Sequence, residues 1–154
     1  MIIIIILVLI FDFLSKFLID KYMMIGDTVP LVRNFFDLTY VKNTGVAFSM
    51  FENNGLLINI ISCIIILILI FYTYYNKPKD LLDKIGRSFI IGGALGNFFD
   101  RVIHGSVIDF LDFKLFGYDY PIFNLADAFI VIGAFLLVVH AWRDNKNGDR
   151  SFNK

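Results

Sequence analysis

The chain has 154 residues, 58% of them apolar, with a formal net charge of zero. That length predicts one small domain, 1–154, but the hydropathy excludes an ordinary soluble domain of this size. Neutral net charge without a basic face argues against a nucleic-acid partner. The single cysteine, Cys63, excludes an internal disulfide and reads, in its apolar run, as a buried structural thiol.

A helix that crosses a bilayer needs about 20 mostly apolar residues. Four segments are expected to do so, at about 1–19, 56–75, 85–103 and 123–142, with outer segments at 20–55 and 104–122. The first opens on a pure apolar run but lacks the basic head and small-residue cleavage site of a secretory signal. Its pattern continues through Phe13, Leu14, Phe17, Leu18 and Ile19. Asp12, Ser15, Lys16 and Ile19 share one helical face, so the polar members can turn inward while the phenylalanines meet lipid. Gly26 and Pro30 break the chain after it. Residues 35–41 are rich in β-formers, Asn43-Thr44-Gly45 is turn-like, and residues 46–51 are expected to form a short interfacial helix.

Lys77, Lys79, Lys84 and Arg87 surround the connection between the second and third spans, and Arg143, Lys146, Arg150 and Lys154 crowd the C-terminal tail. The positive-inside rule makes both cytoplasmic, which places both termini inside and the two outer segments outside. Depth along each helix then follows from a rise of about 1.5 Å per residue. Asp12 and Lys16 come roughly 17 and 23 Å above the cytoplasmic end, and Asn97 and Asp100 roughly 18 and 22 Å. Asn59 and Asp127 lie about one turn below the outer ends of their helices. Every span thus sends a polar group to one layer near the outer leaflet boundary. Ionisable groups are costly in hydrocarbon, and their convergence marks a site.

Several readings of these groups stay open on residue type and spacing alone. Asp12 and Lys16, at i and i+4, either pin the first helix or neutralise charge near a substrate. Gly92, Gly93 and Gly96 suit close helix packing. Asp100 and Arg101 form a local salt bridge, or Arg101 reaches a carbonyl or phosphate oxygen with its planar fork. Asn43 is a turn residue or a clamp on an extended peptide. His104 and His140 fall at opposite ends of the membrane, without Cys or His partners at ligand spacing, which argues against a metal. Asp109 and Asp127 are structural caps or a carboxylate dyad. Two carboxyls held close cannot both ionise easily, so one keeps its proton while the other acts as base. Such a pair activates water against an amide without a covalent intermediate and without a cofactor.

The strings Asp12-Phe13-Leu14-Ser15-Lys16, Asn43-Thr44-Gly45-Val46-Ala47-Phe48-Ser49, Gly92 through Phe110, and Phe123-Asn124-Leu125-Ala126-Asp127 with Gly133 resemble the lipoprotein signal peptidases, the signal peptidase II family. Phe13 and Val46 depart from the residues common there. The resemblance implies an all-α membrane protein, a four-helix transmembrane bundle with a small extracytoplasmic β-cradle after the first helix. It implies an aspartic endopeptidase of the bacterial cytoplasmic membrane, inhibited by globomycin-type compounds, whose site faces outward. Its partners would be membrane lipids and a lipid-modified prolipoprotein, cut just before the diacylglyceryl-modified cysteine, with the enzyme working as a monomer. By motif, the catalytic pair falls on Asp109 and Asp127, substrate binding and site architecture on Asn43, Asn97, Arg101 and Asn124, and supporting polar roles on Asp12, Lys16 and Asp100. The main rival is a small proton-coupled transporter or transporter subunit. It would spread ionisable groups through the membrane, whereas the inner half here reads as Cys63 and small residues with no carboxylate.

Overall fold

A computed structural model describes residues 1–45, 54–115 and 117–152, so the interfacial helix expected at 46–51 lies outside the described residues. Helix α1 (Ile2–Tyr22) is followed by strands β1 (Thr28–Val32) and β2 (Phe36–Asn43), then helices α2 (Gly55–Tyr75) and α3 (Leu81–His104). Strands β3 (Val107–Leu115) and β4 (Tyr118–Asp119) lead into the last helix, α4 (Leu125–Phe152). Among the described residues, three of the four helices are long and apolar enough to cross a membrane: Ile2–Tyr22, Gly55–Tyr75 and Leu125–Lys146. The chain is a multi-pass membrane protein.

Helix α3 falls outside that set because charge sits at both of its ends, Asp83, Lys84 and Arg87 at one and Asp100 and Arg101 at the other. It is instead the central element, packed against α1, α2 and α4. Its glycines allow this. A Cβ on Gly92 would meet Val8 at 2.8 Å, and one on Gly93 would run into the backbone carbonyl of Ala126. Lower down, a Cβ on Gly133 would come within 2.7 Å of the Gly86 carbonyl. Small residues therefore set the approach of α3 to its neighbours, as expected where lipid supplies no hydrophobic drive between helices. The outward surfaces of α1, α2 and α4 carry exposed Ile, Leu and Phe side chains suited to acyl chains.

The helical bundle and a β-cradle are both present, but the label all-α understates the sheet, which the segment after the first helix does not build alone. The strands form one antiparallel sheet in the order β1-β2-β3-β4, and half of it comes from the segment between α3 and α4. Residues Leu111 to Leu115 alternate apolar and polar, the period of a half-buried strand. Along the middle of the sheet Asp37 faces Asp112 and Val41 faces Asp109. Beneath lie Tyr40 and Phe110, packed with Ile19 of α1. The Tyr40 hydroxyl donates to Asp20 at the end of α1, which raises the phenol pKa through burial and the neighbouring carboxylate.

Helix α3 starts four residues earlier than the apolar pattern indicates. Asp80 caps it by accepting the Asp83 N–H at 2.9 Å. That brings Asp83 inside the bundle at 1% exposure, paired with Arg87 and accepting the Lys79 N–H at 3.0 Å. The half opposite the sheet therefore does hold a buried carboxylate, contrary to the sequence expectation. Its hydrogen-bond partners are local, and His140 of α4 closes the group, reaching Asp80 at 3.0 Å and Asp83 at 3.8 Å. Helix α4 also runs on past the apolar span, to Phe152.

Candidate active site

Strand pairing and one bridge assemble the site. Val41 lies opposite Asp109 and Asn43 opposite Val107, so Asn43 and Asp109 are diagonal neighbours on one face of the sheet. Asn43 Nδ2 donates to Asp109 Oδ2 at 2.9 Å, while its own Oδ1 accepts the Gly45 N–H at 2.9 Å. Farther along, Leu111 pairs with Phe123 in an isolated antiparallel bridge. That bridge delivers the next residue, Asn124, to Asp109, and Asn124 is fully buried.

Asn124 then ties the two aspartates together. Its Nδ2 donates to Asp109 Oδ1 at 2.7 Å and to Asn97 Oδ1 at 3.1 Å. Its Oδ1 accepts the Asp127 N–H at 3.0 Å, and the Asp127 carboxylate accepts the Asn124 N–H at 3.2 Å. This reciprocal arrangement is a capping box at the start of α4. The other Asp127 oxygen accepts from Asn97 Nδ2 at 2.7 Å. The cap and the carboxylate pair, set out as alternatives from sequence, coexist in one geometry.

Behind this row lies a second, charged layer. Lys16 is 3% exposed and its ammonium reaches Asp12 Oδ2 at 2.7 Å, Asp100 Oδ2 at 2.7 Å and Asn97 Oδ1 at 3.1 Å. Asp12 turns its remaining oxygen to the Ala126 N–H at 3.0 Å, so a carboxylate from α1 caps α4. Gly96 makes room for it, since a Cβ there would collide with that carboxylate. Asp100 thus pairs with Lys16 and not with Arg101. Arg101 instead donates to the carbonyls of Gly45 at 3.0 Å and Asn97 at 3.3 Å.

The nine residues singled out from sequence therefore meet at the sheet end of the bundle. Their electrostatics follow from a count. Among the described residues, Asp12, Asp100, Asp109 and Asp127 stand against Lys16 and Arg101, an excess of two carboxyls in a poorly solvated place. Burial is the main force on Asp109 and pushes its carboxyl up to about 6. The Asp127 charge pushes the same way, while the Asn43 and Asn124 amides and the Lys16 ammonium hold it back.

The pair opens into a cavity of about 860 Å³. Asn43, Asn97, Arg101, Asp109 and Asp127 supply its polar end, and Ile65, Ile66, Val131 and Ile132 its apolar walls. Sequence reading missed those walls and the aromatic rim of Phe113, Tyr120 and Phe123. Phe113 and Phe123 stack with centroids 5.8 Å apart, which fixes the rim to the same bridge that places Asn124. Alternation along β3 was the available signal for Phe113; single apolar residues on the spans gave none.

Comparison with known proteins shows the family. A family model described as signal peptidase (SPase) II matches residues 4–143. A lipoprotein signal peptidase of Halothermothrix orenii is 37% identical over 147 residues, covering 96% of this chain and 98% of the relative. One from Staphylococcus aureus strain RF122 is 36% identical over 146 residues, covering 95% and 90%. A bacterial membrane enzyme solved by the in meso method at 2.3 Å is similar with a TM-score of 0.87 at 36% identity, covering 95% of this chain and 89% of that one. A second such enzyme, at 1.9 Å, gives a TM-score of 0.83 at 36% identity, covering 93% and 92%. The chain belongs to the signal peptidase II family, the A8 aspartic peptidases, and is a lipoprotein signal peptidase.

Proposed function

We propose that Asp109 and Asp127 act as one catalytic pair, cutting a prolipoprotein just before its diacylglyceryl-modified cysteine. The observation that carries this reading is the shared Asn124, which hydrogen-bonds both carboxyl groups at the polar end of an otherwise apolar cavity. One aspartate, as carboxylate, takes a proton from water, and the water oxygen attacks the scissile carbonyl carbon. The protonated partner donates to the carbonyl oxygen as it gains charge, and the pair then protonates the leaving amine. The two acids are described jointly, because a proton shared between coupled groups belongs to the pair. Asn97 and Asn124 fix the carboxyl planes, Asn43 holds Asp109, and Arg101 holds the Gly45 turn beside them. Lys16, with Asp12 and Asp100, stabilises the arrangement from behind. The chain would work as a single domain and as a monomer.

The reading also takes α3 as a fourth crossing. Its charged ends would sit at the two interfaces and its Gly-rich middle inside the bundle. Both termini then lie in the cytoplasm and the sheet lies outside, with the site in the outer leaflet of the bacterial cytoplasmic membrane. A lipid-anchored substrate would enter sideways, its acyl chains remaining among apolar walls such as Ile65 and Val131 while the scissile amide meets the acids. Membrane anchoring removes much of the positional entropy cost. The test is incubation of the purified protein with a prolipoprotein in lipidated and unlipidated forms, followed by mass measurement of the products. The expected product is the lipidated chain beginning at cysteine, with globomycin blocking its release. Equal or preferential cleavage of the unlipidated form would overturn the substrate assignment.

A further inference from the structure

Hydrolysis of a membrane-embedded signal peptide demands an extended backbone at the scissile bond, since a helix hides its carbonyl carbons. Unwinding frees N–H and C=O groups where little water is available, and each needs a partner. The asparagines around the acids have little to offer. Asn43, Asn97 and Asn124 spend their amide groups on the two aspartates, on Lys16, on one another and on the Gly45 turn.

Among the described residues, two buried side-chain atoms near this depth remain without a hydrogen bond or an ion pair: Arg101 Nε, a donor, and Asn59 Oδ1, an acceptor. Arg101 lines the cavity. Asn59 is not itself a lining residue, but it lies on α2 one turn from Ser62 and on the face that continues to Ile66, and Ser62 and Ile66 both line the cavity. Leu57, Ile60, Ile61 and Ile64 point away and are exposed on the outer surface of the helix. An amide oxygen kept buried and unpaired on an apolar helix destabilises the free enzyme, and a ligand N–H would relieve it.

We infer that Asn59 is a further substrate-holding residue. Its side-chain oxygen, one helical turn beyond the lining residue Ser62, accepts a backbone N–H from the unwound stretch of the precursor that occupies the cavity. The inference rests on the peptidase reading given above and adds the α2 wall to the machinery. It also gives α2 a role in orienting the peptide, beyond closing the bundle.

The experiment compares wild type, Asn59→Leu and Asn59→Gln on a lipidated precursor, and on precursors N-methylated at single backbone amides flanking the scissile bond. Asn59→Leu is expected to lower kcat/KM about tenfold, the loss of one buried hydrogen bond. Its melting temperature should be equal to or above that of wild type, because an unsatisfied polar atom is removed; a packing role would lower it. One N-methylated precursor should lose a similar factor with wild type and nothing further with Asn59→Leu, and Asn59→Gln should recover part of the activity on the unmodified precursor. Wild-type kinetics for Asn59→Leu, or additive losses with every N-methylated precursor, would overturn the inference while leaving the peptidase reading intact. Failure of wild type to cut the lipidated precursor would overturn both.

Discussion

Replacing Asn124 with alanine perturbs the site at its most connected point. The substitution deletes donors to Asp109 and Asn97 and the acceptor for the Asp127 N–H. Loss of a helix N-cap costs about 0.5–2 kcal/mol. Loss of a hydrogen bond to a charged group costs about 1.5–3 kcal/mol. Because these share one side chain, about 2–4 kcal/mol of stability is the expected loss at neutral pH. The loss should also depend on pH. Asp109 in the folded protein titrates up to about 6, above its ordinary 3.8, so its contribution to stability is fully present below 3.8 and is lost as pH rises through about 6. The Asn124 amide holds that value down, so its removal moves it higher. The variant should therefore be more destabilised at pH 8 than at pH 4, by about 1.4 kcal/mol for each unit of added shift. Thermal unfolding in detergent micelles across this range measures the difference, and single-turnover cleavage measures the catalytic loss, expected at 100-fold or more from a displaced carboxyl (order of magnitude about 10², as for misplacement of reacting groups). A variant that cuts within about twofold of wild type, with a pH-independent stability change, would refute the reasoning.

Three other perturbations probe different parts of the account. Lys16→Met strands Asp12 and Asp100 without their cation, and should destabilise the protein by about 3–5 kcal/mol, seen as a lowered melting temperature. Gly93→Ala drives a methyl group into the Ala126 carbonyl and should cost about 1–3 kcal/mol by separating α3 from α4, with activity falling because Asn97 and Asp127 are carried on those helices. Carbon-13 NMR of aspartate carboxyls, assigned through single Asp→Asn variants, should show one acid of the pair titrating near 6. Both acids titrating together in the ordinary carboxylate range would contradict the shared proton.

Legibility varied with the kind of signal. Asp12 and Lys16 were readable as a pair because helical spacing places i and i+4 side by side, and the structure adds the Ala126 and Asp100 contacts that no local spacing encodes. The alternative pairing of Asp100 with Arg101 fails for a reason already present in the sequence, since adjacent helical residues do not face each other. Strand β3 was hidden by the hydropathy of its surroundings, although its alternation from Leu111 onward was visible. Asp83 falls outside a helix boundary set by apolar content alone. The acid three residues after Asp80 is a capping signal that sets the start earlier. The joining of Asp109 to Asp127 through Asn124 depends on the bridge between Leu111 and Phe123, a long-range pairing beyond single-sequence periodicity.

The most direct measurement is single-turnover cleavage of a lipidated prolipoprotein by Asp109→Asn, Asp127→Asn and, as a control on the exposed strand β4, Asp119→Asn, each first checked for membrane insertion and unfolding temperature. The account expects no detectable product from either of the first two and wild-type turnover from the third. Full turnover by Asp109→Asn or Asp127→Asn, or its loss in Asp119→Asn alone, would contradict it.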